Sequence, residues 1–154
     1  MKLKSKIPLA LILGFAILQS CSEENGYGSI INSTIGSNAS HNMGQNCMNC
    51  HKPGGGEAPV WKIAGTVYND AFTATNSNAT VKLYTGPNET GILKYTIQVD
   101  AKGNFYTTSP IDFKGGLYPS VTGATSTYSM STPIESGACN SCHNSVIKSK
   151  IGAN

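Results

Sequence analysis

Arginine is absent from the 154-residue sequence, and charged residues make up only 12% of it, about half the globular average. Without arginine or a dense lysine patch, nothing in the chain suits the phosphate backbone of a nucleic acid. No apolar run is long enough for a lasting transmembrane helix, which excludes a channel or transporter built from such helices. Histidine occurs three times and tryptophan once. The residues in relative surplus are seventeen glycines and five cysteines. The length allows one domain of ordinary size, with room for an anchor and a tail.

Lys2, Lys4 and Lys6 form a short basic region ahead of the twelve-residue apolar stretch Ile7 to Leu18. This is the length of a signal-peptide core and too short to span hydrocarbon. The sequence Leu18-Gln19-Ser20-Cys21 that follows resembles the lipobox of bacterial lipoprotein precursors. The resemblance implies a signal peptide over 1–20 and a diacylglycerol-modified Cys21 as the new N-terminus. It also implies an outer-membrane lipoprotein facing the periplasm or the cell surface. Acyl chains would anchor it through buried CH₂ groups at ~0.8 kcal/mol each. From Cys21 onward eight lysines face eight acids, so the net charge of +3 belongs to the leader alone.

Residues 21–40 are rich in Asn, Ser and Gly without a sustained helical or strand period. They are expected to be a lipidated flexible tether reaching ~25 Å. From residue 60 to about 125 the pattern turns to β. Val60–Tyr68 is rich in strand formers, while Ala79–Tyr84 and Gly91–Asp100 alternate apolar with polar residues. Thr85–Thr90 is a turn by composition. Asp100–Gly103 reads as a hairpin turn into a strand over Asn104–Thr108, and Leu117–Val121 as a last strand. Ser126–Ser131 is expected to be flexible. Short strands at this spacing predict a mainly β fold, a small antiparallel sandwich with short helical turns. The runs Ile63–Val67, Ala79–Tyr84, Asp100–Phe105 and Gly116-Leu117-Tyr118 resemble the carboxypeptidase regulatory-like domain. That resemblance implies a transthyretin-like sandwich and an accessory role rather than catalysis.

Two pentapeptides carry the chemistry: Cys47-Met48-Asn49-Cys50-His51 and Cys139-Asn140-Ser141-Cys142-His143. Both are CxxCH, the signature of covalent c-type haem attachment. Two thiols three positions apart on a helical turn reach the two vinyl groups along one haem edge. The adjacent histidine supplies an axial imidazole. The motifs therefore predict two covalently bound c-type haems, one in segment 41–59 and one in segment 126–154. Four thiolates on one zinc ion would bring the cysteine pairs closer in sequence. A thioredoxin-like pair needs an αβ scaffold, and disulfides within such short loops would be strained. One lipidated cysteine and two haem-bound pairs leave no thiol over.

With His51 and His143 engaged, His41 is the only histidine left and a candidate distal ligand. Among the methionines, Met130 lies nine residues before Cys139 much as His41 lies six before Cys47. Met130 is the favoured candidate for the second iron, with Met43 a local alternative to His41. Met48, between the thioethers, cannot easily reach the far face. Which ligand serves which iron stays open. As a whole the chain resembles a di-haem c-type cytochrome lipoprotein. This implies electron carriage between redox proteins of the cell envelope, no small-molecule substrate and no enzyme activity. Haem propionates would make the surface acidic and favour a partner with a basic patch. The alternatives are a haem-containing binding or sensing module that uses the sandwich for recognition, and a small di-haem peroxidase. The second is disfavoured because the acids are scattered and no histidine remains for proton transfer.

Overall fold

The computed structural model describes residues 29–154. The basic leader, the apolar stretch and Cys21 lie outside the described residues. The chain is mainly β, in two sheets. Its strands are β1 (Ile63–Tyr68), β2 (Thr80–Tyr84), β3 (Leu93–Gln98), β4 (Asn104–Thr107), β5 (Tyr118–Thr122), β6 (Thr127–Ser129), β7 (Gly137–Ala138) and β8 (Ile151–Gly152). Among the described residues helix is confined to a 3-10 turn over Cys47–Asn49 and one α-turn, α1 (Cys139–Cys142).

The second sheet runs β3-β2-β5-β6 and is antiparallel throughout. In the first sheet β1 is central. It pairs antiparallel with β4 on one side, while β7 and β8 add two short parallel pairs to its other edge. Its central position explains why Ile63–Val67 is buried without alternation, whereas β2 alternates, with Val81 and Leu83 inward. Ile63, Val67, Leu83, Val99 and Phe105 fill the space between the sheets at 0–1% exposure. Each such burial is worth about 1.5–3 kcal/mol.

Four local readings of the sequence are corrected. The Asp100–Gly103 reversal is tight: Asp100 Oδ1 accepts from Lys102 N and Asn104 N, and Gly103 takes φ +84°. It joins the two sheets rather than a hairpin, because β4 leaves β3 and pairs with β1. Ser126–Ser131 is no loose loop, since Thr127–Ser129 forms the edge strand β6 on β5. Leu93, expected on the inner face of β3, is exposed, and the β2–β3 register shifts at this end of the pair. The reading of 21–40 as free coil fails from Ile31 onward. Asn32 bridges to Thr107, and Ser33 is buried with its N–H on Tyr106 O at 2.9 Å.

The chain beyond residue 125 is not an appendage either, for β7 and β8 complete the first sheet. Gly137 permits this. A Cβ there would stand 2.0 Å from Lys62 O and 2.3 Å from Ile63 Cα.

Candidate functional site

The two CxxCH motifs fold into turns of the same design. In the first, Asn46 Oδ1 caps Met48 N at 3.1 Å and His51 N donates to Cys47 O at 2.9 Å. In the second, α1 is closed by His143 N donating to Cys139 O at 3.0 Å. Each histidine ring is then fixed from behind. His51 Nδ1 lies 2.8 Å from Pro59 O, and His143 Nδ1 lies 2.6 Å from Ser149 O. A carbonyl oxygen only accepts, so Nδ1 is the donor in both rings. The other ring nitrogen, Nε2, is then the atom each could offer to a metal.

The thiols differ in setting. Cys47 and Cys139 are half-buried, Cys50 and Cys142 are exposed, and all four are free. Burial pushes the Cys47 thiol up, and it pushes the Cys139 thiol up to about 12, with the negative charge of an ionised Cys47 adding to the effect. A thiol that keeps its proton at neutral pH is a slow nucleophile in thiol–disulfide exchange. Among the described residues no three His, Cys, Asp or Glu side chains converge as a single metal ion would need.

The second motif opens onto a cavity of about 620 Å³ lined by residues from both sheets, within the roughly 300–1,000 Å³ range of cofactor sites. Its apolar walls include Ile63 and Phe105 from the first sheet and Val81 and Val121 from the second. Cys139, Cys142 and His143 line it, and so does Met130. Met130 follows β6 directly and is held by its own N–H on Pro119 O at 2.9 Å. The structure thus brings Met130 and the second motif together around one space. Lys150 also lines that space, its Nζ 4.2 Å from the centre of the Tyr68 ring. The buried Oδ1 of Asp70, another lining residue, has no hydrogen-bond partner. Of the charged groups lining this half-open, mainly apolar cavity, only the Lys150 ammonium could pair with a carboxylate of a bound macrocycle, whereas Asp70 and Glu135 would repel one.

The first motif is more open. His41, Met43 and Cys50 are exposed. The His41 and His51 rings lie 5.9 Å apart, centre to centre. Their planes are tilted by 34°, so His41 is close enough to His51 for both to belong to one site. The indole of Trp61 stacks on His51 at 4.6 Å and 20°, and the Tyr106 ring follows at 4.6 Å.

The motifs meet on β1, where Gly65 makes room for the second turn. A Cβ on Gly65 would come within 3.0 Å of Cys139 Cβ. Sequence reasoning missed Trp61, Lys150 and the two carbonyl acceptors. The carbonyl contacts leave no side-chain signal, whereas an aromatic ten residues after His51 was a visible hint. Comparison of the chain with protein-family models, curated proteins and solved structures found no match.

Proposed function

We propose that the chain is a di-haem c-type electron carrier, tethered to the outer membrane through a lipidated Cys21 and exchanging electrons with other redox proteins of the envelope. The observation that carries this reading is the matched pair of Nδ1–carbonyl hydrogen bonds. Two histidines far apart in sequence, each closing a CxxCH turn, have Nδ1 against a backbone carbonyl, which leaves Nε2 as the nitrogen each could offer to a metal. A metal-free structural role would not require this in both places.

In this reading Cys47 and Cys50 hold one haem and Cys139 and Cys142 the other, each through thioether bonds. His51 and His143 are the axial residues of the CxxCH motifs. Each haem, when bound, supplies a one-electron ferric/ferrous couple. His41, whose ring lies 5.9 Å from that of His51, would serve the first site, and Met130, which lines the second cavity, would serve the second. Methionine opposite histidine raises the potential above that of a bis-histidine site, so the two sites are unequal and the second is the higher. The walls of the second cavity are mainly apolar, while the openness of the first site would suit contact with a partner protein.

A sensing module is the second reading. It is favoured by the position of Met130 directly after β6, an edge strand whose three residues are all exposed, where a ligand could reach the second site. Resonance Raman and EPR spectra of the holoprotein separate the two. Two six-coordinate low-spin irons support the carrier. A high-spin iron that shifts on adding NO supports the sensor and overturns the carrier.

A further inference from the structure

The two attachment turns are joined by a buried polar network that haem attachment itself does not require. Its centre is Thr66 on β1, 1% exposed. The Thr66 hydroxyl accepts from Gly44 N at 2.8 Å and Asn140 Nδ2 at 3.1 Å, and it donates to Asn104 Oδ1 at 2.6 Å. Thr66 N donates to Asn140 Oδ1 at 3.1 Å. Asn140 is a spacer residue of the second CxxCH and is 2% exposed. Its amide also donates to Gln45 O at 2.9 Å, two residues before Cys47. Asn104, 3% exposed, continues the line with Nδ2 on Ser40 Oγ at 2.9 Å and His41 O at 3.2 Å.

Every donor of the three side chains is used, and each oxygen accepts at least one bond. Such a network is rigid when complete and costly when broken, since a buried partner is then left without a bond. A spacer position in a haem motif places no demand on side-chain type, and a small apolar residue would fill it. The asparagine instead reaches across to the backbone of the first site and, through Thr66 and Asn104, to the carbonyl of His41.

Resting on the two-haem reading above, we infer that Asn140, Thr66 and Asn104 are positioning residues that hold the second attachment turn against the His41–Cys47 segment, so that the two irons keep one fixed separation and each responds to the other's charge. The network acts through the backbone of His41 and Gln45, so it sets distance and orientation.

The test uses the full-length holoprotein in the diferric state, with covalent haem counted by intact mass. Pulsed dipolar EPR then reads the iron–iron distance distribution. Wild type and Thr66→Ser, which keeps the hydroxyl, are expected to give one narrow distribution. Asn140→Ala and the isosteric Thr66→Val are expected to give distributions about twofold broader, with both haems retained. In the same variants, the dependence of the second reduction on the first should weaken in a spectroelectrochemical titration. An unchanged width and unchanged redox interaction in either two-haem variant overturns the inference. So does a broad distribution in wild type, which needs no variant at all. Fewer than two covalent haems in wild type refutes the carrier reading instead, and the mass spectrum shows this before any distance is measured.

Discussion

Gly65→Ala probes both the packing of β1 and the seat of the second attachment turn. The added Cβ would lie 2.6 and 2.8 Å from two ring carbons of Phe105 and 3.0 Å from Cys139 Cβ. None of these neighbours has room to yield. Phe105 is 1% exposed in the centre of the core, and Cys139 is fixed by α1. Overpacking of this kind costs about 1–3 kcal/mol, and replacing a strand glycine returns roughly 0.5–1 kcal/mol of chain entropy. The midpoints of these ranges leave a net destabilisation of about 1 kcal/mol. Near this chain length roughly 4 °C of Tm accompanies each kcal/mol, so Tm should fall by about 4 °C. The methyl pushes on Cys139 and not on Cys47, so the spectrum of the second haem should change while that of the first stays. Thermal unfolding and EPR of the same sample check both parts. An unchanged Tm, or equal disturbance of both haems, would refute the placement of α1 on Gly65.

Other outcomes follow from the same geometry. His51→Ala and His143→Ala should each abolish one of the two low-spin EPR signals and leave the other, with both thioether-bound haems retained in the mass spectrum. Met130→Ala should convert the second site to a five-coordinate high-spin iron and lower its potential, at about 1–2 kcal/mol of stability for a half-buried side chain. If the second site stays low-spin, its ligand is another residue. In haem-free protein at pH 8, Cys139 should be alkylated far more slowly than Cys142, because its thiol keeps its proton up to about 12. The same shift has a stability consequence. An unfolded thiol ionises near 9.0 and the folded one near 12, so this contribution is complete below pH 9 and is lost as pH rises from 9 to 12. Alkylation at equal rates, with stability level across that window, would show that Cys139 is not packed as described.

The β pattern between residues 60 and 122 was legible because alternation and burial coincide in strands such as β2. Val81 and Leu83 face inward and Thr80, Lys82 and Tyr84 outward, as a half-buried strand must. What escaped notice was short or governed by distant partners. β7 and β8 have two residues each and are defined by where they dock on β1, and no periodicity exists over two residues. β6 reads as a polar loop because all three of its residues are exposed on the sheet edge. The Asp100 turn looked like a hairpin because its local chemistry is that of one. Its crossing between sheets depends on β4 finding β1 rather than β3. At the candidate site, the CxxCH spacing located six side chains, and the cavity placed Met130 beside three of them. Asn140 and Thr66 carried no such mark, since a buried asparagine and a surface one are spelled alike.

The most direct test of the account is the intact and peptide-level mass of the protein matured in cells that attach c-type haem. The account predicts two covalent haems, one on the peptide with Cys47 and Cys50 and one on the peptide with Cys139 and Cys142. Four unmodified thiols in such cells, or a bound zinc ion in place of haem, would contradict it.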